Sequence, residues 1–384
     1  MALSFQKAKN LIKALKKKGY ESYIVGGAVR DFIMKKEPID IDITTKAKPT
    51  DVMRHFNSVP TGLKYGTVTV EFEDSQFEVT TFRLDGPTKD FRHPDSVIYS
   101  DNVKDDVLRR DFTINGLLMD ENERIYDHVG GLEDIKHEVI RTIGNPYDRF
   151  NEDALRILRA LYFQSKLGFR IDEETKQAMK DSRFLIKEIS RERVFNELIK
   201  TLKGPYLKLA LETMIETQID EVLPGLKNGI NYISKLDKLP FVDPFFVVSF
   251  ILNQGIVPEY WPFSNYHKNM YQKAVILSMK TKDFIAPHDL YEYGLEISIL
   301  ANKANTFLGK SRYTENDIEN AYQKLPIKSE LDLALTSQEI MTYYNKKPGL
   351  WLGKLKKALV NDVLSKKVKN EKAALLKHLE SMEV

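Results

Sequence analysis

Ser22-Tyr23-Ile24-Val25-Gly26-Gly27-Ala28-Val29-Arg30-Asp31, followed by Ile39-Asp40-Ile41-Asp42-Ile43, decides how the rest of the chain is read. Ser22–Val25 has the composition of a short strand and ends on two glycines. The spacing predicts a brief helix from Ala28 to about Lys35. Ile39 to Ile43 alternates with period two, so it reads as a second strand. Its isoleucines would face a core and leave Asp40 and Asp42 together on the other side. Two adjacent carboxylates repel each other unless a cation lies between them. Magnesium suits one or two carboxylates plus substrate phosphates. A glycine pair between strand and helix lets backbone approach a phosphate closely. Asp-x-Asp alone could equally be a solvent-facing strand with alternating acids. Gly26-Gly27 upstream, with Arg30-Asp31 between, favours the metal reading.

Outward from this stretch, 5–18 reads as an amphipathic helix carrying Phe5, Ala8, Leu11, Ile12 and Leu15 on one face. Val68, Val70 and Phe72 alternate in one further strand, and Phe77 and Val79 in another. From about Glu152 onward the periodicity is helical almost throughout. The sequence thus predicts an α+β protein: a small head with a mixed β-sheet, then an elongated all-helical neck, body and tail. The expected divisions are 1–150, 151–205, 206–325 and 326–384.

The 384 residues are ample for several domains. The absence of cysteine excludes disulfides, thiolate zinc sites and a cysteine nucleophile. Phe245 to Leu252, the longest apolar stretch, is far short of a membrane span of ~20 residues. Met1 to Lys18 has no signal-peptide pattern, so a cytoplasmic protein is expected, with no membrane and no obligate protein partner evident. Net charge is only +3. Yet 15 of the 16 arginines lie between Arg30 and Arg193. Arginine offers a rigid fork for phosphates and base edges, so anion or nucleotide chemistry is expected in the first half. Lys354 to Lys377 holds eight lysines against Asp362 and Glu371, either a solvated helix face or a phosphate-contacting surface. No His/Glu cluster has zinc spacing, and there is no Walker-type glycine-rich lysine motif.

Gly26 to Asp31 with Asp40-Ile41-Asp42 resembles the catalytic head of the DNA polymerase beta nucleotidyltransferase superfamily. More narrowly, the chain resembles class II tRNA nucleotidyltransferases, the CCA-adding enzymes. Arg109-Arg110-Asp111-Phe112-Thr113-Ile114-Asn115-Gly116 is similar to the family's second motif. Asp127, Gly130-Gly131 and Asp134 resemble the third, described as a hinge. Glu152 to Ala160 resembles the fourth, and Ser190-Arg191-Glu192-Arg193 with Glu197 the fifth. These motifs span about half the chain, and Gly349 to Lys377 is similar to the tail of bacterial members.

The resemblance implies addition of two CMP and one AMP to the tRNA 3′ end from CTP and ATP, without a nucleic-acid template. It implies two magnesium ions on Asp40 and Asp42. It places Gly26, Gly27, Arg30, Arg110, Asp111, Asp153, Arg156 and Arg159 at the nucleotide, and tRNA against the helical part through its acceptor arm and elbow. Glu78 is either a third metal carboxylate or a plain exposed strand acid. Asp153 and Arg156 stand at i and i+3, neighbours on one helix face. A carboxylate beside a guanidinium pairs with the amine and ring nitrogen of C or A and opposes U or G. A helix salt bridge is the alternative. Arg110-Asp111 could also be a capped helix start. Tyr162 departs from the family, where arginine is frequent, and puts one phosphate contact in doubt.

The stretch Leu84 to Asp95 lacks periodicity and resembles the flexible loop used for adding the final A; His93 reads as a loop residue. A poly(A) polymerase, a CC- or A-only enzyme, and a non-catalytic RNA-binding relative are the competing functions.

Overall fold

A computed structural model describes residues 3–38, 40–85 and 97–382. The chain divides into two compact units, Met1–Leu223 and Pro224–Val384.

The first unit is organised by seven strands: β1 (Ser22–Val25), β2 (Asp42–Thr45), β3 (Ser58–Gly62), β4 (Thr67–Phe72), β5 (Ser75–Thr81) and, after a separate hairpin of β6 (Arg83–Asp85) and β7 (Val97–Tyr99), β8 (Leu118–Met119) and β9 (Ile125–Tyr126). Their order is β3-β4-β5-β2-β1-β8-β9. β2 and β5 run parallel and every other pairing is antiparallel, so the sheet is mixed as expected. Helix α1 (Leu3–Lys17) covers it, and Phe5, Ala8, Leu11, Ile12 and Leu15 are all buried. α2 (Gly27–Ile33) follows β1 directly.

Register places the site. Val25 at the end of β1 faces Asp42, and Asp42 faces Glu78 on β5. Gly26, Asp42 and Glu78 therefore sit at one margin of three neighbouring strands. The second strand is shorter than its alternation suggested: it starts at Asp42, with Asp40 and Ile41 leading into it. Ile41 and Ile43 are buried while Asp40 and Asp42 are exposed, so the two-faced pattern holds even where ladder pairing does not. Ile39 lies outside the described residues, as do 86–96 of the expected loop with His93. The loop's first residues, Leu84 and Asp85, belong to the hairpin.

α3 (Pro49–His55) and α4 (Val103–Leu108) flank the sheet, and Asn102 caps α4 by accepting from the Lys104 N–H. α5 (Gly131–Lys136) is held by Asp127, whose carboxylate accepts from the N–H groups of Val129, Gly130, Gly131 and Leu132 at 2.9–3.1 Å. Those are the donors a helix start leaves unsatisfied. Asp134 on the same helix accepts from Thr113 Oγ1 at 2.6 Å.

α6 (Pro146–Glu152) and α7 (Leu155–Leu167) come next, then α8 (Glu173–Asp181), α9 (Arg191–Leu202) and α10 (Leu207–Glu216). The region is not purely helical: a parallel pair, β10 (Val139–Ile140) with β11 (Arg170–Ile171), is inserted. Two-residue strands carry too little alternation to read from sequence.

The second unit is helical. Its apolar run forms the buried helix α11 (Val242–Leu252), where Phe246 and Phe250 pack with Trp261, Phe263 and Tyr271. Among the described residues no helix is long and apolar enough to cross a membrane.

The glycine pair at 130–131 serves close packing. A Cβ on Gly131 would lie 2.2 Å from the Thr113 carbonyl oxygen, which is backbone and cannot swing away. Gly131→Ala should therefore destabilise the first unit by about 1–3 kcal/mol, lowering its melting transition by several degrees in calorimetry.

Candidate nucleotide and metal site

Gly26 makes the turn between β1 and α2 at φ 77°, a backbone conformation that favours glycine. A side chain there would also intrude. A Cβ would lie 3.2 Å from Arg110 Nη1 and 4.0 Å from Asp42 Oδ2. The glycine turn, the arginine and the strand carboxylate thus meet at one place.

Asp40, Asp42 and Glu78 line a single cavity of about 470 Å³ together with Ser4, Ile41, Ser75, Gln76 and Phe77. Asp42 is open to solvent on its cavity side, yet the packing behind it desolvates the carboxyl and raises it above its ordinary value; Arg110 opposes this, and the charges of Glu78 and Asp40 add to it. Three hard oxygen donors around one polar cavity, one of them uncomfortable as an anion, fit a divalent cation. The three are not drawn within 4.8 Å of one another: among the described residues only His288, Asp289 and Glu292 are. That group already holds an ammonium, with Lys280 Nζ 2.5 Å from Asp289.

Arg110 is aimed by a residue that sequence reading missed. Asp106 on α4 is fully buried and accepts from Arg109 Nε at 2.9 Å, Arg109 Nη2 at 2.7 Å, Arg110 Nη2 at 3.2 Å and Thr44 Oγ1 at 3.1 Å. Burial alone would raise its carboxyl, but the two guanidiniums outweigh that and hold it below the usual range. The i, i+3 and i, i+4 spacing of Asp106 to Arg109 and Arg110 was its only sequence signal.

Asp111 forms the second knot. Its Oδ2 accepts from Arg159 Nε at 2.8 Å and Nη2 at 2.5 Å, and its Oδ1 from Asn115 Nδ2 at 3.1 Å and the Phe112 N–H at 2.8 Å. Burial opposes ionisation, yet Arg159, Asn115 and Arg156 hold the carboxyl at about 2. Asp111 and Arg159, each expected at the nucleotide, are joined to each other by this ion pair.

Asp153 and Arg156 do not share a helix, contrary to the i, i+3 reading. α6 ends at Glu152, and Asp153 takes an extended conformation at φ −146°, ψ 99° before α7 starts. Its carboxylate bonds the Leu155 N–H at 3.1 Å and pairs with Arg193 of α9 at 3.2 Å. Arg156 points to backbone: Nη1 donates to the Arg110 carbonyl at 3.0 Å and Nη2 to the Arg109 carbonyl at 2.9 Å. Arg149 reaches the same two carbonyls at 2.8 and 2.6 Å. Guanidiniums of α6 and α7 thus close on backbone carbonyls at the end of α4, and the Asp153–Arg193 ion pair ties the start of α7 to α9.

Arg30 also differs from expectation. It is 1% exposed, donates to Asp31 Oδ1 at 2.7 and 2.9 Å and to Asn115 Oδ1 at 2.6 Å, and lies over the Phe163 ring. It braces the underside of the glycine turn. Direct contact with a nucleotide would require the guanidinium to leave these partners. Gly27 is packed against it, with Arg30 Nη2 3.4 Å from an added Cβ.

Comparison with known proteins identifies the family. The poly A polymerase head domain model matches 22–141, the model described as a probable RNA- and SrmB-binding site of polymerase A matches 168–230, and a tRNA nucleotidyltransferase domain 2 model matches 258–379. CCA-adding enzymes from Bacillus cytotoxicus and Listeria monocytogenes are 35% and 32% identical, over 97% and 96% of both chains respectively. The chain belongs to the CCA-adding enzyme family. The crystal structure of the Bacillus stearothermophilus CCA-adding enzyme in complex with CTP superposes with a TM-score of 0.84 at 30% identity, covering 99% of this chain and 98% of that one. The mixed-sheet head and helical remainder are the architecture of this family.

The depressed Asp111 carboxyl gives a pH signature. Its pKa is lower folded than unfolded, so the ionised form stabilises the fold fully above about pH 4 and the contribution fades as pH falls toward 2. Asp111→Asn should cost roughly 2 kcal/mol at pH 7. The gap to wild type should narrow below pH 4 in urea titrations. A constant gap from pH 7 to pH 3 would show that charge is not what the carboxylate contributes.

Proposed function

We propose that this chain is a CCA-adding tRNA nucleotidyltransferase whose head, 1–150, holds the reacting phosphates and whose neck, 151–205, selects the base. The substrates are CTP, ATP and tRNA lacking its 3′ end; two CMP and one AMP are transferred and pyrophosphate leaves. The tRNA acceptor arm and elbow lie along the helices of 206–325 and 326–384. The observation that carries this reading is the meeting of Gly26, Asp42 and Arg110, with Asp40 and Glu78 on the adjoining cavity.

Asp40 and Asp42 would hold two magnesium ions, and Glu78, the register partner of Asp42, is the third candidate ligand. Bound magnesium would neutralise triphosphate charge and make the tRNA 3′ hydroxyl a better nucleophile. Gly26 and Gly27 give the triphosphate close access to backbone, and Arg110, aimed by Asp106, supplies a fixed positive charge beside it. Asp111 and Arg159 stand at the ribose side as a preformed pair. Asp153 presents a carboxylate for the exocyclic amine of C or A. Arg156, in reach of the same edge once it exchanges a carbonyl partner, supplies the donor to the ring nitrogen. U and G offer the opposite pattern and leave unmatched polar groups. An exchange of that kind between backbone and base would also let one site accept first C and then A.

Asp40→Ala and Asp42→Ala should each lower transfer at least about a thousandfold, since several kcal/mol of charge stabilisation is lost, while tRNA affinity stays within about twofold. Labelled-nucleotide incorporation and filter binding measure the two quantities. Retained turnover in either variant under magnesium overturns the assignment.

Asp153→Ala should lower CTP incorporation by about 1–3 kcal/mol, tenfold to a hundredfold, and lower the CTP/UTP efficiency ratio. Loss of the Arg193 ion pair alone predicts a lower melting temperature with an unchanged ratio. Single-nucleotide kinetics on tRNA ending at the discriminator base decides between them.

A further inference from the structure

One turn beyond Arg159 on α7, the half-buried ring of Tyr162 gathers two ammonium groups. Lys166 Nζ lies 6.0 Å and Lys200 Nζ 5.7 Å from its centroid. Lys166 comes from the next turn of α7, and Lys200 reaches over from the neighbouring α9. Glu197 on α9 is 4% exposed and fixes Lys200 at 2.7 Å. Lys166 has no carboxylate partner and the Tyr162 hydroxyl no hydrogen bond among the described residues. Two like charges on one ring are balanced by one carboxylate, so the cluster keeps a net positive charge, with the Lys166 ammonium and the Tyr162 hydroxyl unspent. Residues three, four and seven apart share a helix face, so Tyr162, Phe163 and Lys166 continue the face that presents Arg159 to Asp111. Phe163 links them physically: its ring touches Tyr162 at 5.0 Å and carries Arg159 at 5.2 Å.

We propose that Tyr162, Lys166 and Lys200 form a phosphate subsite for the acceptor strand of the RNA substrate. The proposal rests on the tRNA reading above. Phosphate is the fitting chemistry: lysine ammonium is a mobile point charge suited to a phosphate oxyanion, and a tyrosine hydroxyl adds a directed donor. The RNA backbone is preferred over the nucleotide's triphosphate by position. The triphosphate end is marked by Gly26, Arg110 and Asp42, whereas this cluster lies past Arg159, further along α7. The aromatic ring confines both ammoniums before any ligand arrives, which lowers the ordering cost of binding.

Lys166→Ala carries the test, because Lys166 has no partner to strand; Lys200→Ala would leave the buried Glu197 carboxylate uncompensated. Affinity of the full-length protein for tRNA lacking CCA is measured without nucleotide across a salt series. Lys166→Ala should weaken binding three- to tenfold at low salt and reduce the slope of log K against log[salt] by about 0.7–0.9, one phosphate contact. Lys166→Glu should weaken it further, Lys166→Arg should restore it, and KM for CTP at saturating tRNA should not move. Unchanged tRNA affinity and slope in Lys166→Ala and Lys166→Glu overturns the subsite. A raised KM for CTP with unchanged tRNA affinity overturns the RNA assignment in favour of the triphosphate. A wild-type protein that neither binds nor extends the tRNA would instead overturn the function proposed above, so the two failures are told apart.

Discussion

The buried Asp106 carboxylate is the point on which the site depends. It lies where no water can stabilise it, and an isolated charge there would cost several kcal/mol. Two guanidiniums and the Thr44 hydroxyl make it tolerable, and in return it fixes where those guanidiniums point. Thr44 belongs to β2, the strand that begins with Asp42, while Arg110 leans over the turn at Gly26. One carboxylate therefore sets the distance between the acidic strand and the arginine beside it. Removing Asp106 would release Arg110 from its place over the turn and let it swing toward the Asp42 carboxylate.

The same network joins the helices that follow. Arg149 and Arg156, from α6 and α7, both end on the carbonyls of Arg109 and Arg110. Those carbonyls close the C-terminal end of α4, where a helix leaves acceptors unsatisfied and carries partial negative charge. Capping by guanidiniums from a later part of the chain is thus chemically reasonable. It also means that Arg110's direction is sensed by α7, which bears Arg159 and follows Asp153. The residues proposed to face phosphate and base are coupled through one helix end rather than standing as separate sites.

How much of this was legible beforehand varies by residue. The strand pattern, the covering helix at the N-terminus and the two exposed acids flanking Ile41 follow from alternation alone, because burial on one face forces it. The glycine turn and the order of motifs pointed to the segment that the poly A polymerase head domain model matches. Asp106 escaped because the sequence offers Asp105 and Asp106 side by side, and only tertiary burial distinguishes them. Asp153 and Arg156 were misread as helix neighbours because spacing says nothing about a break. The chain turns at Asp153 between two helices, and local helical propensity does not forbid continuing through it. Arg30 looked like a ligand because an arginine after two glycines invites that reading. Its burial under the turn depends on Asn115 and Phe163, far away in sequence.

The carboxylates nearest the candidate site finally fall into two electrostatic classes. Asp106 and Asp111 are each surrounded by guanidiniums, and both are held below the usual carboxylate range despite burial. Their guanidinium partners favour the ionised form, and that charge is spent within the protein. Asp42 is the opposite case. Burial, Glu78 and Asp40 all push it up, and Arg110 alone opposes them. It is the carboxylate whose negative charge the fold does not satisfy. Arginines neutralise Asp106 and Asp111 within the frame, while Asp40, Asp42 and Glu78 at the sheet margin are left repelling one another, which is the feature the proposed metal site rests on. In the proposed reading a bound cation would relieve a repulsion already present, and the three carboxylates, which do not lie within 4.8 Å of one another, would draw together on it. This division also explains why charge patterning in the sequence pointed to the right half of the chain but not to individual roles. Frame and site use the same residue types, and only burial beside a guanidinium separates them.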